Sequence, residues 1–154
     1  MESEYKIPGR DGFMNIYDFS FDTNIPIYLQ ISKMFESKLF VGELESGDVI
    51  PSRRELAADL KVNLNTVQKA YSYMEDIGLI KTEKNRHSII TYDENVIESL
   101  KEEFLKEPLE TFILTMKSVN ISKKKVIELI DREYDKIGNK EEENKEENRG
   151  ENID

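Results

Sequence analysis

The sequence predicts a mostly α-helical fold with one small β-hairpin. Two observations support this: apolar residues recur at helical spacing in successive stretches after residue 25, and two short β-type runs interrupt them. With 154 residues, of which 38% are hydrophobic, the chain is long enough to bury a core.

The first helix begins after Pro26 and places its apolar residues on one face. Gly42 ends it, because glycine readily takes the left-handed conformation that follows many helices. A short extended piece, Val49–Ile50, then leads to Pro51. The apolar face consists of Ile27, Tyr28, Ile31, Met34, Phe35, Leu39 and Phe40.

A second, short helix begins at Ser52, since Ser52 followed by Glu55 forms a capping box. The turn Lys61–Asn63 separates it from a third helix, for which Asn63 is a suitable N-cap and which runs to about Ile77. We expect the inward side chains of the third helix to be Val67, Ala70, Tyr71 and Met74.

Gly78 ends the third helix, and a hairpin follows it. Its strands are predicted at about residues 79–83 and 88–91, joined by the polar tip Lys84–His87. A helix, a short helix, a tight turn, a longer helix and a hairpin make up the winged form of the helix-turn-helix. We place this domain at residues 25–92.

Residues 93–137 predict two amphipathic helices, capped at Asp93 and Ser122, with Pro108 kinking or restarting the first. Two such helices cannot bury both apolar faces alone, so they need the winged helix or a second chain. We expect a helical dimerisation segment. Its apolar residues are Val96, Ile97, Leu100, Phe104, Leu109, Phe112, Ile113, Met116, Val126, Ile127, Ile130, Tyr134 and Ile137.

The two ends of the chain differ from the middle. Residues 1–24 are irregular and predict an N-terminal arm, and residues 138–154 are low in complexity and highly charged, which predicts a disordered acidic tail. The sequence has no apolar run of roughly 20 residues and no secretion signal. We therefore expect a cytoplasmic protein that does not contact membranes.

The net charge of −10, taken alone, disfavours nucleic acid as a partner. However, residues 25–92 carry nine basic and nine acidic side chains, so the excess of negative charge lies outside the predicted winged helix. A DNA-binding protein needs a basic face rather than a basic chain. Charge alone therefore does not exclude DNA.

Catalysis finds little support in the sequence. There is no cysteine, His87 is the single histidine, and the seven glycines are scattered at turns without a phosphate-binding loop. The sequence thus disfavours an enzyme and predicts neither a cofactor nor a metal site.

Candidate DNA-binding residues cluster on the helix-turn-helix. Arg53 and Arg54 lie at the start of the second helix, where free amides and the helix dipole suit phosphate contact. Paired arginines are often only a solvated surface, but their place beside a candidate recognition helix favours DNA contact here.

The start of the third helix carries amides, a hydroxyl and a lysine: Asn63, Asn65, Thr66, Gln68 and Lys69. Asn and Gln form paired hydrogen bonds to adenine in the major groove, while Lys and Thr reach phosphate or guanine. Asn63 is equally well explained as an N-cap alone. The predicted wing adds Lys84 and Arg86 for the minor groove or the phosphates, although a polar hairpin tip is usually a solvated turn.

Residues 25–91 closely resemble the DNA-binding domain of GntR-family bacterial regulators. The most specific motifs are GDVIPSRRELAADLKV, NTVQKAY and EDIGLI. The short C-terminal segment resembles the YtrA-like subfamily, in which two helices serve dimerisation and no large ligand-binding domain follows. The resemblance implies DNA contact by Arg53, Arg54, Asn63, Asn65, Thr66 and Gln68, and by the wing around Lys84 to Arg86.

The sequence departs from the family pattern at two positions. Lys61 stands where the family often has glycine, so it is expected to take a left-handed conformation at a cost of roughly 1–2 kcal/mol. The wing tip reads Asn85-Arg86-His87 where the family commonly has a basic residue between two glycines. The close backbone approach that glycines allow is thus in question, while the basic side chain is kept.

We expect a homodimeric repressor that binds double-stranded DNA at a palindromic operator. A second interpretation stays open, namely a protein-interaction module that keeps the winged helix without binding DNA, which the acidic tail favours. The sequence also leaves room for a small-molecule effector between the winged helix and the helical segment, but no motif indicates one.

Overall fold

The computed structural model describes residues 21–84 and 87–150, and for residues 138–150 it describes the backbone alone. Residues 1–20 of the predicted arm and the wing-tip residue Arg86 therefore lie outside the described residues. The elements are α1 (Ile27–Phe40), α2 (Arg53–Leu60), α3 (Leu64–Asp76), β1 (Ile80–Thr82), β2 (Ser88–Ile90), α4 (Glu94–Ser118) and α5 (Lys123–Gly150). The predicted fold class, mostly helical with one hairpin, is confirmed.

The capping box of α2 forms as predicted. The amide of Glu55 donates to the Ser52 hydroxyl at 3.2 Å, and the amide of Ser52 donates to the Glu55 carboxylate at 2.8 Å. Hydrogen bonding to the carboxylate, from the Ser52 backbone first and then from the Ser52 side chain, lowers the pKa of Glu55. At the other end of α2, Lys61 has a φ of 54°, the left-handed conformation expected for this residue.

The core of the winged helix lies between α1, α2, α3 and the hairpin. On α3 the four residues predicted to face inward are all buried, and Gly78 follows with a φ of 78°. At this φ a residue with a side chain is strained, so glycine allows the sharp entry into β1. The largest buried side chains are Tyr71, Ile31, Ile50, Leu56, Met74, Leu79, Ile90 and Val67.

The hairpin is antiparallel, with Ile80 opposite Ile90 and Thr82 opposite Ser88. The extended residue Val49 adds a single bridge to Ile89, so the predicted extended piece lies against the hairpin. Each strand is shorter than predicted, although the amide of Thr91 still donates to the carbonyl of Leu79 beyond the ends of the two strands. The turn that joins the strands thus lies at the far end from α3.

The first part of α4 packs on the winged helix. Phe104 meets Phe40 edge to face, with ring centres 5.2 Å apart, and Leu100 contacts the core. The chain divides into two compact units, residues 1–106 and 107–154. The boundary of the DNA-binding domain after residue 92 stays a prediction. Pro108 lies within α4 and does not end it.

The second unit contains the end of α4 and all of α5. None of residues 107–137 is buried. The helical backbone of α5 continues to Gly150, whereas the sequence predicted a disordered tail from residue 138. Glu and Lys are good helix formers, and a helix already begun at Lys123 continues through them without a new nucleation step.

We find no helix within the described residues that is long and apolar enough to cross a membrane.

Candidate nucleic-acid interface

The exposed face of α3 carries polar side chains at its N-terminal end. Asn65, Gln68 and Lys69 are exposed, Thr66 is half-buried, and Val67 points into the core with no exposed surface. The first turn contains no acidic residue. The helix therefore presents hydrogen-bonding groups without a carboxylate that would repel phosphate.

Asn63 acts as the N-cap of α3. Its side-chain oxygen accepts a hydrogen bond of 2.8 Å from the amide of Asn65. Asn63 is thus the predicted N-cap of α3, and one acceptor of this side chain is used inside the protein. A DNA contact by the same side chain stays a prediction. Asn65 takes part in this hydrogen bond through its backbone amide. Its side chain is exposed to solvent.

The two arginines of α2 differ in their surroundings. The Arg53 guanidinium lies 4.8 Å from the centre of the Tyr71 ring, and its Nη2 atom is 3.4 Å from Oε1 of Glu75. Arg54, the next residue, is exposed. The pair that looks equivalent in sequence thus contains one arginine held by the fold and one that faces solvent.

Tyr71, a buried residue of α3, holds the start of α2 in place. Its hydroxyl donates a hydrogen bond to the carbonyl of Pro51, and burial raises the pKa of Tyr71 above its ordinary value. A tyrosine hydroxyl is protonated at neutral pH, and burial favours that form further, so Tyr71 acts as a donor there. This bond fixes the residue that precedes the capping box.

An open cleft of about 220 Å³ lies between the start of α2 and β2. Its lining includes Arg53, Arg54, Tyr71 and His87. His87 is exposed, and the structure places it beside the two arginines, a proximity that the sequence did not predict. The only signal for it was its position at the end of the basic wing tip.

Lys69 is held towards α1. Its ammonium nitrogen lies 4.2 Å from the centre of the Tyr28 ring, and Tyr28 in turn meets Tyr73 edge to face at 5.6 Å. A cation over an aromatic ring gains about 0.5–1 kcal/mol at an exposed site. This is small enough for a phosphate to compete for the ammonium.

The wing is described only in part. Lys84 is exposed in the turn, two residues after the end of β1, and Arg86 lies outside the described residues. The structure therefore brings Arg54, Asn65, Gln68 and His87 to surfaces around α2 and α3, and leaves the contribution of Arg86 as a prediction.

Sequence reasoning missed two residues near these surfaces. Ser72 is exposed on α3 and follows Asn65 by two helical turns, a spacing that could have identified it. Glu75 accepts hydrogen bonds from both Arg53 and Thr82, which come from different elements. No local pattern signals Glu75, since its partners are distant in sequence.

Comparisons with known proteins agree with this architecture. The family described as "Bacterial regulatory proteins, gntR family" matches residues 27–89. The HTH-type transcriptional regulator YhcF of Bacillus subtilis is 37% identical over 111 residues, which cover 72% of this chain and 92% of the relative. The HTH-type transcriptional repressor YtrA of the same species is 34% identical over 111 residues, or 70% of this chain and 84% of that protein.

A solved structure extends the similarity to both units. The GntR family transcriptional regulator from Listeria monocytogenes has a TM-score of 0.65 and 36% identity, and the match covers 73% of this chain and 98% of that one. The match therefore includes the winged helix and reaches into the C-terminal helical segment. The chain belongs to the GntR family, with the short YtrA-like organisation, and is a DNA-binding transcriptional regulator.

Proposed function

We propose that this protein is a transcriptional repressor that binds a palindromic operator as a homodimer. The observation that carries the DNA-binding mode is the exposed polar face of α3, on which Asn65 and Gln68 stand free of acidic neighbours in the first turn. In this mode α3 enters the major groove and these amides bind base edges.

The phosphate contacts are assigned around that helix. Arg54 and the amides at the start of α2 bind phosphates of one DNA strand. The wing binds phosphates further along the duplex through Lys84 and Arg86. Thr66 and Lys69 contact the DNA backbone at the edge of the groove. Asn63 caps α3, and Arg53 lines the cleft between the start of α2 and β2. Because each of these contacts displaces counterions, binding is expected to fall steeply with salt.

The homodimer rests on the second unit. Phe112, Ile113 and Ile130 are 37%, 42% and 43% exposed, and Tyr134 and Ile137 are more so. No residue of α4 is buried, and neither is any residue of α5 up to Ile137, the last one whose side chain is described. Apolar stripes of this size therefore require a partner surface. A second copy of this chain, joined through residues 93–137, supplies such a surface, because the interface of a two-fold dimer is self-complementary.

Two-fold symmetry then determines the operator. Two copies of α3 in successive major grooves require half-sites roughly 34–36 Å apart, centre to centre. The repressor role is supported by the relative named as the repressor YtrA, with which this chain shares 34% identity. A regulator of bacterial chromosomal DNA acts in the cytoplasm, and no effector is part of the proposal.

The test is a gel shift with DNA from upstream of the protein's own gene, in excess mixed-sequence competitor. A discrete shift that survives competition, with footprints on two symmetric half-sites, supports the proposal. Binding to bulk DNA without preference would contradict the operator, and the absence of binding to either DNA would favour the interaction module. Light scattering of the free protein measures the dimer independently.

A further inference from the structure

Glu75 joins two elements on either side of the recognition helix. Its Oε1 atom accepts from Arg53, the first residue of α2, and from the hydroxyl of Thr82, the last residue of β1. Thr82 and Ser88 are opposite each other in the hairpin, with hydroxyl oxygens 2.6 Å apart. One carboxylate thus contacts the helix that carries Arg54 and the strand that leads to Lys84.

The hydrogen bonds in this group have a fixed direction. An ionised carboxylate only accepts, so Thr82 must give its single hydroxyl proton to Glu75. Ser88 must then donate to Thr82. Ser88 is only 5% exposed, which places the far end of this chain of hydrogen bonds inside the fold. Because Ser88 is buried, its bond to Thr82 holds the hairpin in a fixed position relative to Glu75.

The ion pair between Arg53 and Glu75 is too weak for stability to be its main role. The side chains of Arg53 and Glu75 are 33% and 34% exposed, and the ion pair spans 3.4 Å. Such pairs contribute about 1 kcal/mol or less. A carboxylate is also repelled by phosphate, so Glu75 is not suited to contact DNA directly.

We propose that Glu75 is a positioning residue for DNA recognition. It ties the start of α2, through Arg53, to the wing strand, through Thr82. The phosphate contacts of Arg54 and of the wing, on the two sides of α3, are then made together when α3 is seated on its preferred sequence. This inference rests on the proposed function, because it concerns how the same interface selects its DNA.

The experiment compares Glu75→Ala with Asp76→Ala in the full chain. The two variants remove the same charge from adjacent residues of α3, and Asp76 is exposed. General electrostatic effects on DNA binding are therefore shared by both. A third variant, Thr82→Val, removes the hydroxyl while keeping a β-branched side chain in the strand.

The first measurement is the affinity for a preferred duplex, selected from a random pool by the unaltered protein, and for mixed-sequence duplex. Glu75→Ala is expected to weaken binding to the preferred duplex about tenfold, or roughly 1.4 kcal/mol, with no loss on mixed-sequence DNA. Asp76→Ala is expected to weaken neither. The Glu75→Ala/Thr82→Val double variant should lose less than the two single losses combined.

The proposal is overturned if Glu75→Ala behaves like Asp76→Ala, or if both affinities fall together. A loss of stability alone lowers the active fraction on all DNA equally and leaves the ratio of the two affinities unchanged. That ratio therefore separates positioning from folding.

Hydrogen exchange of the free protein provides the second measurement. Glu75→Ala should speed exchange at the amides of β1 and β2 while leaving α1 unchanged, and Asp76→Ala should leave both unchanged. Unchanged exchange in the hairpin would count against positioning even if DNA binding is intact. If the unaltered protein shows no sequence preference, the proposed function fails, and the exchange result still decides the role of Glu75.

Discussion

Ser32 and Glu36 form a buried pair on α1, in which the Ser32 hydroxyl donates a hydrogen bond of 2.9 Å to the Glu36 carboxylate. Glu36 is 9% exposed. Burial raises the pKa of Glu36, and the bond from Ser32 and the charge of Lys33 oppose that rise only in part. The folded protein therefore holds a carboxylate that is easier to protonate than in the unfolded chain.

The first prediction concerns this carboxylate. Because the pKa of Glu36 is higher in the folded state, its contribution to stability is fully present below the unfolded pKa and is lost as pH rises through the folded pKa. Glu36→Gln keeps an acceptor for Ser32 and removes the charge, so it should raise the melting temperature at pH 7 by a few degrees, about 1 kcal/mol. Calorimetry measures this.

The gain should shrink as pH falls and disappear well below the unfolded pKa, where the carboxyl group is neutral in both states. Glu45→Gln, at an exposed site, is the matched control and should change little at neutral or at low pH. An equal gain at neutral and at low pH would contradict the role of burial.

The second prediction separates the two arginines. Arg54→Gln should weaken DNA binding and reduce the slope of log affinity against log salt by about 0.9, the value for one phosphate contact. Arg53→Gln should change the slope less, because Tyr71 and Glu75 already hold that guanidinium. Titrations of mixed-sequence duplex at several salt concentrations measure both slopes. Equal slope changes would place both arginines on phosphates.

The third prediction addresses base recognition. Asn65→Ala and Gln68→Ala should each lower affinity for the preferred duplex by about 1–3 kcal/mol and leave mixed-sequence binding nearly unchanged. The cap of α3 survives in Asn65→Ala, since Asn63 accepts from the backbone amide of residue 65. Ser99→Ala, exposed on α4, is the control. A uniform loss on all DNA would assign these side chains to phosphates.

The fourth prediction concerns the dimer. Phe112→Asp places a charge on the apolar stripe of α4 and should give a monomer by light scattering, with an intact winged helix by circular dichroism. Thr111→Asp adds the same charge to the neighbouring residue, off the stripe, and should remain dimeric. A dimeric Phe112→Asp protein would show that the chains associate through another surface.

The fifth prediction concerns the charged end of the chain. Truncation after Gly138 shortens α5 but retains the apolar residues from Val126 to Ile137, so the fold and the dimer should be preserved. Light scattering and thermal melts of the truncated chain check this. A monomer after truncation would mean that residues beyond 138 contribute to the interface.

The sequence by itself determined the elements whose signals are local. Ser52 and Glu55 cap α2 from three residues apart, Asn63 caps α3 through the amide of Asn65, and Gly78 takes the positive φ that ends the helix. Lys61 adopts the left-handed conformation expected for it. These features depend on short-range hydrogen bonds and on the sterics of single residues, which the order of residues specifies directly.

The length of α5 was not determined in this way. High charge suggested disorder after residue 138, yet the helix continues to Gly150. Extending an existing helix requires no new nucleus, so good helix formers prolong it without burying apolar surface.

The tertiary structure decided which side chains of the candidate interface contact the rest of the fold and which face solvent. Arg53 and Arg54 are equivalent in sequence, but Arg53 meets Glu75, which lies 22 positions away, and Arg54 faces solvent. Phe104 likewise joins α4 to the winged helix only because Phe40 ends α1 beside it. Such pairings depend on how helices pack, and packing brings together residues that no local spacing relates.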